Sequence, residues 1–391
     1  MLALDHIKVL DLSRRYPAGY GAMFLGDFGA QIIKVDPPSP ADNSAERSPA
    51  TEKYAAFFAP DRNKKSIILD LKKPAAQKVL HRLVKDTDIL VENNRPGVMK
   101  RLNCGYDTLK EINPQLIYCA CSGFGQDGPY VDLPAHDMNY IGIAGALSLV
   151  GPKDGPPTFP SNYVADMAGC GLHAAIGILT ALVAREKTGQ GQLVDISYTD
   201  GVMSVMMTEI GSYLFTGTVP KRGVSRTTGG AVWAQVFKCS DGEYYTIACA
   251  EKHLWDNLCK AIGREELMEK HKAIGAEKDS IVAELAPLFA SKTRDEWFDF
   301  FRDKNVCTGP VNYVNEALQN PQIMHRQMVM EFDHPTVGKV QQLGFPIKLS
   351  DTPASVRHLG VPVGTHTDEV LGEAGYARED IAGLRNQGVL G

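Results

Sequence analysis

The sequence predicts an α/β protein: a large domain on a mostly parallel sheet, followed by a smaller α+β domain. Two observations predict it. Short apolar runs alternate with stretches of helical apolar spacing to about residue 200, the pattern of parallel strands joined by crossover helices. Beyond that point, the Asp241-Gly242 step joins two strand-like runs, which is typical of an antiparallel hairpin.

The alternation begins at residues 7–12 (IKVLDL), a predicted strand, and continues through a helix at 17–29 to a strand at 31–35 (QIIKV). It repeats downstream. The further predicted strands are 66–71, 88–92 and 116–121, and the further predicted helices are 74–85, 106–112 and a small-residue helix at 141–149. An apolar stretch at 167–184 is borderline in length for a membrane span, and its His173, its many Gly and Ala residues and its charged flanks favour a buried helix.

A polar connector at 221–230 (KRGVSRTTGG) marks the change of domain. The smaller domain is predicted to contain strands at 234–238 and 244–250 and helices at 253–262 and 294–304. We therefore expect a large domain at 1–224, a small domain at 225–330 and a return segment at 331–391 that completes the large domain.

Composition excludes several classes of function. The 391 residues carry 41 Lys and Arg against 46 Asp and Glu, a net charge of -5, so nucleic acid is not expected as a partner. The N-terminus has no secretory pattern, and the eight cysteines show no C-x-x-C or zinc spacing. We expect a cytoplasmic protein with reduced, mostly buried thiols and no metal site. Its glycine-rich segments match neither a dinucleotide fingerprint nor a P-loop, which argues against NAD and ATP.

Two segments carry residues suited to proton transfer or nucleophilic attack. Asp166 precedes an apolar helix, where Gly169 and Gly171 would let a ligand approach; the plainer interpretation is a helix N-cap. His136 and Asp137 follow a Leu-Pro loop and precede a helix. The imidazole is a natural acid or base near neutral pH, although a lone histidine is more often a hydrogen-bonded surface residue.

Basic and acidic residues at strand ends are further candidates. Arg95 and Arg101 follow the strand at 88–92, a position where α/β sheets bind ligands, and could hold phosphates; a solvated basic loop is the alternative. Arg62 belongs to a similar cluster before another strand. Glu251 lies between a strand and a helix, where it could simply favour the helix start.

Ordered motifs along nearly the whole chain resemble one known family. They are Val9-Leu10-Asp11-Leu12, Gly26-Asp27-Phe28-Gly29-Ala30, Arg62-Asn63-Lys64-Lys65-Ser66, Asn94-Arg95-Pro96-Gly97, Ser122-Gly123-Phe124-Gly125 and Gly364-Thr365-His366-Thr367. The sequence resembles the family III coenzyme A transferases, the group that also contains α-methylacyl-CoA racemase. The resemblance implies a Rossmann-like large domain, a smaller domain and an interlocked homodimer. It implies an acyl-CoA substrate, with no cofactor beyond its coenzyme A moiety.

The resemblance also implies roles for single residues. It makes Arg95, Arg101, Lys34 and Arg62 candidates for binding coenzyme A. In the transferases, the aspartate that matches Asp166 attacks the thioester and then carries CoA to a second carboxylic acid. In the racemases, the same aspartate and a histidine flank the α-carbon and exchange its proton through an enolate.

A few residues favour the racemase hypothesis, for a 2-methyl-branched acyl-CoA. His136-Asp137-Met138-Asn139-Tyr140 fits the racemase form, as does Glu251, and the Asp137 backbone N–H is a plausible donor to the enolate oxygen. The departures are Ala135 in place of a glycine, Lys252-His253 after the glutamate, and an insertion around residues 39–58. The alternatives are a CoA transferase that works through Asp166, and a catalytically silent CoA-binding subunit of a hetero-oligomer.

Overall fold

The computed structural model describes residues 1–38 and 52–390. The chain divides into two compact units. The first comprises Met1–Ala144, Ser161–Val205 and Pro321–Gly391, and the second comprises Gly145–Pro160 and Met206–Asn320. The boundaries thus lie at 205/206 and 320/321, where the sequence suggested 224/225 and 330/331, and residues 145–160 join the second unit. Most of the predicted insertion, residues 39–51, lies outside the described residues.

The elements run in the following order along the chain. The strands are β1 (Lys8–Asp11), β2 (Gln31–Asp36), β3 (Lys64–Ile68), β4 (Ile89–Glu92), β5 (Ile117–Ser122), β6 (Leu193–Ser197), β7 (Ala234–Lys238), β8 (Tyr244–Ala248), β9 (Thr308–Pro310), β10 (Val329–His334) and β11 (Gly338–Leu343). The α-helices are α1 (Pro17–Asp27), α2 (Glu52–Phe57), α3 (Pro74–Val84), α4 (Val98–Arg101), α5 (Tyr106–Ile112), α6 (Asp137–Ile143), α7 (His173–Thr188), α8 (Tyr198–Val205), α9 (Met207–Thr216), α10 (Lys252–Ala261), α11 (Gly275–Phe289), α12 (Arg294–Phe301), α13 (Val314–Gln319), α14 (Pro321–His325), α15 (Thr367–Glu373) and α16 (Arg378–Asn386). A π-helix spans Tyr163–Leu172 and runs directly into α7.

The first unit is built on a six-stranded sheet in the order β3-β2-β1-β4-β5-β6. Every neighbouring pair is parallel, so the predicted α/β fold with a mostly parallel sheet is confirmed. The strand order reverses between β1 and β4, because the chain builds outward from β1 in one direction and then in the other. Such a switch point leaves a crevice at the carboxyl ends of the two central strands.

Each face of the sheet is covered by helices. On one face α3 buries Ala76, Val79, Leu80 and Val84, a spacing that places them on one side of the helix. They join a core with β-strand residues and with side chains from α5, α15 and α16. Fully burying an aliphatic side chain of this size stabilises the fold by roughly 1.5–3 kcal/mol.

The other face is covered by α1 and by the long helical stretch. A Cβ added at Gly21 of α1 would lie 2.6 Å from the carbonyl oxygen of Gly171, so the absence of a side chain permits this close approach. The stretch Tyr163–Thr188 has 26 residues and contains an 18-residue window with a mean hydropathy of 1.8, so it is long and apolar enough by composition to cross a membrane. Its small residues pack against α1 and α8 in the way of a core helix, so this one helix is weak support for a membrane span.

Two local predictions need correction. Asp166 lies inside the π-helix and is not its N-cap, because the helical stretch begins three residues earlier, at Tyr163. The predicted small-residue helix at 141–149 is two pieces, α6 and a 3-10 turn at Ala146–Leu149, because Gly145 between them adopts φ 90°.

The second unit packs helices on an antiparallel sheet in the order β7-β8-β9. The hairpin predicted around Asp241-Gly242 is confirmed as β7 and β8. The core is aromatic: the rings of Phe237 and Phe289 stack with centroids 4.3 Å apart, and the indole N–H of Trp255 donates to the Leu267 carbonyl at 2.8 Å. All eight cysteines are free and seven are buried, as predicted.

Candidate active site

A cleft of about 460 Å³ opens in the first unit at the carboxyl ends of β1, β4 and β5. This is the switch point of the sheet, where α/β folds bind their ligands. The lining residues are Arg14, Arg15, Tyr16, Pro17, Asn93, Asn94, Arg95, Pro96, Cys121, Ser122, Gly123, Phe124, Val131, Leu133, Pro134, Ala135, His136, Asn139, Tyr140, Asp166 and Tyr198. The cleft therefore brings together Asp166, His136 and Arg95, three residues that the sequence singled out.

Asp166 reaches the cleft from the π-helix, in a segment packed very closely against its neighbours. A Cβ added at Gly169 would lie 2.8 Å from the carbonyl oxygen of Tyr198, and one added at Gly201 would lie 2.1 Å from the carbonyl oxygen of Gly169. The π-helix and α8 thus touch backbone to backbone, and any side chain at these positions would force them apart. π-Helical turns occur frequently at functional sites, where they re-aim a side chain.

The Asp137 carboxylate holds the backbone that carries Asp166. Its Oδ2 accepts hydrogen bonds from the backbone N–H groups of Ala165 and Asp166, both at 2.9 Å. The other oxygen, Oδ1, is buried and has no hydrogen-bond partner within the described part of the chain. Asp137 therefore anchors the Asp166 turn and places a second carboxylate beside it.

The pKa of Asp166 is raised to about 6 by burial and by the neighbouring Asp137 charge, against a hydrogen bond from the Asn162 side chain. The same Asn162 amide donates to the Tyr16 hydroxyl. Burial and the Asp166 charge also raise the pKa of Tyr16, which lines the same cleft. A carboxyl group with a pKa near 6 is ionised at neutral pH yet basic enough to accept a proton.

His136 is the N-cap residue of α6, and its exposed side chain lines the cleft. Its extended backbone is fixed by its N–H group, which donates to Asn139 Oδ1 at 3.0 Å. The backbone N–H of Asp137 follows in the first turn of α6, where amide groups have no acceptor within the helix. An imidazole therefore lines the cleft, and the residue that follows it carries a first-turn amide donor.

Tyr140 forms the wall behind His136. Its hydroxyl donates to the Ala135 carbonyl at 2.6 Å, and its ring packs edge-on against Tyr198 and Phe124 with centroids 5.2 and 5.4 Å away. A Cβ at Gly123 would lie 2.4 Å from this ring, so only glycine fits there. Burial and, after it, the Asp166 charge raise the pKa of Tyr140 to about 12, so the hydroxyl remains a donor.

The four basic candidates have different surroundings. Arg95 is exposed at the cleft. Arg101, the last residue of α4, is also exposed but is not among the residues that line the cleft. Lys34 is held inside, with Nζ 3.3 Å from Asp36 and donating to the Ser13 carbonyl at 3.2 Å.

Arg62 does not reach the cleft. Its guanidinium is buried and donates twice to Asp27, at 2.9 and 2.6 Å, and once to the Leu343 carbonyl at 2.5 Å. It stabilises the fold here, because its donors face these acceptors. Glu251 lies in the second unit as the exposed N-cap residue of α10.

Comparisons with known proteins agree with this fold and site. The family model described as CoA-transferase family III matches residues 4–367. The chain belongs to CoA-transferase family III. It is 32% identical to human alpha-methylacyl-CoA racemase over 390 residues, covering 100% of this chain and 98% of the relative. It is 30% identical to human succinyl-CoA:glutarate CoA-transferase, covering 99% and 90%.

A solved structure is similar as well. The CAIB/BAIF family protein from Brucella suis superimposes with a TM-score of 0.81 at 29% identity, covering 95% of this chain and 99% of that one. The family membership predicted from the motifs is therefore confirmed. The relatives' names describe both racemases and CoA transferases, so membership of family III leaves the reaction of this chain to be argued from its site.

Sequence reasoning did not select several residues of this family III cleft. Tyr16 and Tyr198 line the cleft with Asp166, yet they come from distant parts of the chain. Asn162, four residues before Asp166, donates to the Tyr16 hydroxyl. Arg14 and Arg15 could have been found, because they directly follow the carboxyl end of β1 at the switch point. Within the described ranges 1–38 and 52–390, no group of three His, Cys, Asp or Glu side chains could hold a metal ion.

Proposed function

We propose that this protein is an acyl-CoA racemase that inverts the α-carbon of a 2-methyl-branched acyl-CoA. The single observation that carries the proposal is that Asp166 and His136 line one cleft at the switch point. A racemase needs two groups that exchange a proton near neutral pH. The pKa of Asp166, raised to about 6 by burial and Asp137, suits one of them, and an imidazole suits the other.

The reaction would proceed in two proton transfers. One group, for example the Asp166 carboxylate, removes the α-proton. The electron pair of the C–H bond forms a carbon–carbon double bond, and the thioester carbonyl becomes an enolate oxygen. The protonated His136 imidazole then returns a proton to the opposite face of the α-carbon. The reverse direction exchanges the two roles.

The enolate oxygen needs hydrogen-bond donors that stand ready before the reaction. The first turn of α6 offers them, with the Asp137 N–H as the proposed donor. The Asp137 side chain has a separate proposed role, because its Oδ2 binds the Ala165 and Asp166 amides and so aims Asp166. Arg95 and Arg101 are proposed to bind the phosphates of coenzyme A, and the reaction needs no cofactor beyond that moiety.

A CoA transferase is the second candidate, and one finding favours it: identity to the human transferase, 30%, is close to identity to the human racemase, 32%. In this reaction Asp166 attacks the thioester carbonyl and CoA leaves as a thiolate, which gives a mixed anhydride. The thiolate attacks the aspartyl carbonyl, and the first acid leaves. A second carboxylate then attacks the aspartyl thioester and releases the CoA thiolate. The thiolate attacks the acyl carbonyl of the new anhydride, which forms the second acyl-CoA and frees Asp166.

One experiment separates these reactions: the pure protein is incubated with a panel of acyl-CoAs in deuterated buffer, with and without acceptor acids. Racemisation predicts deuterium at the α-carbon without any acceptor. Transfer predicts new acyl-CoAs only with an acceptor, and an adduct on Asp166 that hydroxylamine releases. Deuterium absent from every branched acyl-CoA would contradict the racemase proposal. A protein inert in both arms would point to the silent CoA-binding subunit.

Two variants test the assigned residues. Asp166→Asn should lower exchange by about 10²–10⁴-fold, because it removes a positioned base. His136→Ala should leave exchange from only one enantiomer, because only one face keeps its base. His325→Ala, an exposed histidine at the end of α14 in the same unit, is the matched control and should retain full activity. Equal exchange of both enantiomers by His136→Ala would exclude the two-base assignment.

We also propose that two copies of the chain associate, as the family resemblance implies. The support is an exposed apolar face on α7, where Ile176, Leu179 and Val183 are 60%, 42% and 57% exposed. Their spacing places them on one side of the helix, and a patch of this kind commonly marks an interface. Sedimentation should show a dimer that Val183→Glu weakens. A monomeric wild-type protein would favour a different partner chain.

A further inference from the structure

Glu92, the last residue of β4, is a buried carboxyl group that the proposed reaction does not use. Its side chain is 4% exposed. Among the described residues, no Lys or Arg acts on its pKa. A charge buried without a cation is costly, so a carboxylate kept at such a position needs hydrogen bonds and invites a functional explanation.

The hydrogen bonds of Glu92 lead to the loop that lines the cleft. Its Oε2 accepts from the backbone N–H of Asn94 at 2.6 Å and from the Asn94 side-chain amide at 3.1 Å. Asn93 is held from the other side, since its amide nitrogen donates to the Arg14 carbonyl at 2.9 Å and its oxygen accepts from the Arg14 N–H at 2.7 Å. Arg95 is thus the first exposed residue after two immobilised ones.

We propose that Glu92 is a positioning residue that holds Asn94, and through it aims Arg95 at the phosphates of coenzyme A. Glu92 does not touch the ligand. The inference rests on the proposed function only for its ligand, coenzyme A, which racemase and transferase chemistry share. A failure of the role proposed for Glu92 is therefore distinguishable from a failure of the racemase proposal.

The surroundings of Glu92 make this device sensitive to pH. On its side of the sheet β1 presents Leu10 and Leu12, while β5 presents Ala120 and the Tyr118 phenol, whose hydroxyl donates to the Cys104 carbonyl at 3.4 Å. Beyond Tyr118 lies the Cys104 thiol, and burial raises the pKa of both groups, so they stay neutral. The α4 cations, Lys100 and Arg101, are exposed.

Burial raises the pKa of Glu92 to about 7, against the hydrogen bonds from the backbone and side chain of Asn94. The charged form, which accepts the stronger hydrogen bonds, therefore appears as the pH rises through about 7. The free energy of unfolding changes in the opposite direction as the pH rises. A raised pKa means that a stability contribution is complete below the ordinary pKa and is lost as the pH rises through about 7.

The test is Glu92→Gln, which keeps the size of the side chain and one acceptor but removes the titration. Coenzyme A itself is the probe, and its dissociation constant is measured by calorimetry for the whole protein at pH 6, 7 and 8. We expect the variant to bind about fivefold more weakly at pH 8, the loss of a charge-assisted relative to a neutral hydrogen bond. The ratio of variant to wild type should approach one at pH 6.

Stability separates positioning from a merely structural role. Glu92→Gln should resist urea better than wild type at pH 8, with the difference shrinking toward pH 5, while it binds coenzyme A more weakly. A purely structural Glu92 predicts a variant that is both less stable and weaker in binding at every pH. Glu111→Gln, an exposed glutamate on α5, is the control and should change neither quantity. Wild-type affinity in Glu92→Gln across this pH range would overturn the proposal.

Discussion

The edge of the sheet at the carboxyl ends of its strands has a paired half, where a buried carboxyl group contacts a cation, and an unpaired half, where a buried and a half-buried carboxyl group have no such contact among the described residues. At the end of β1, Asp11 is buried with Lys64, whose Nζ lies 2.7 Å from Asp11 Oδ2. Burial alone would raise the pKa of Asp11, but Lys64 and Lys34 outweigh it and lower the pKa to about 2. Next to it, at the end of β4 and in the cleft, no Lys or Arg of the described residues offsets burial at Glu92 and Asp166, and burial raises their pKa values to about 7 and 6.

The difference shows which half stabilises the fold and which is shaped for chemistry. A lowered pKa contributes stability that is present above the ordinary pKa and lost as the pH falls, for Asp11, through about 2. A raised pKa contributes stability at low pH that is lost as the pH rises, for Asp166, through about 6. At neutral pH the paired half therefore raises the free energy of unfolding. The unpaired half lowers it, because its carboxyl groups are ionised there with no cation in the described part of the chain to offset their burial.

The largest effect is expected from breaking the paired half. Lys64→Met leaves Asp11 buried without the cation that contacts it, and should lower the free energy of unfolding by about 3–5 kcal/mol at pH 7. Chemical denaturation measures it. Adding Asp11→Asn should recover part of the loss, because the stranded charge disappears. The exposed pair Lys110–Asp107 is the control, and Lys110→Met should cost under about 1 kcal/mol. A Lys64→Met protein as stable as wild type would refute the assignment.

A smaller effect of opposite sign is expected in the cleft. Asp166→Asn should raise the free energy of unfolding at pH 8 by on the order of 1–2 kcal/mol, a value reduced for the partial exposure of this side chain. At pH 4 the variant and wild type should converge, because Asp166 is then protonated. Urea titrations at both pH values measure the difference, with Asp107→Asn as control. A lower free energy of unfolding for Asp166→Asn than for wild type at pH 8 would mean that the charged Asp166 stabilises the fold, as Asp11 does.

The smallest effect is expected where no charge is involved. Tyr140→Phe removes the hydroxyl that donates to the Ala135 carbonyl at 2.6 Å, and should cost about 0.5–1.5 kcal/mol of stability. The cost should not change between pH 5 and 9, because the pKa of Tyr140 is raised by burial to about 12. Tyr106→Phe is the control. A cost that varied across this range would contradict a hydroxyl that stays protonated throughout it.

Much of the fold could be predicted because it follows from local patterns. The run IKVLDL contains β1, and the apolar spacing of residues 74–85 predicts the amphipathic α3, which ends one residue earlier. The helix α11 was missed, because Pro287 lies inside it and its hydrophobic pattern is weak. The π-helix was missed because its apolar residues do not distinguish it from an α-helix; Gly169 within it packs closely against α8, a contact between distant segments.

The site was predicted less completely. Asp166, His136 and Arg95 were selected from motifs, and the structure places them in one cleft. Arg62 was selected by the same reasoning, yet it is buried against Asp27. A basic residue beside a strand gives no indication of whether it faces the crevice or the core, since that depends on a partner 35 residues away.

The sequence by itself determined the alternation of strands and helices, the family and the residue types that the chemistry needs. These properties reside in periodicity and in ordered motifs, which are local along the chain. Only the tertiary structure decided which carboxyl groups are paired and which are not. Burial and distance to a cation set the pKa of a carboxyl group, and both depend on contacts between distant segments. That is why Asp11, Glu92 and Asp166, alike as acidic residues in the sequence, differ so widely in the fold.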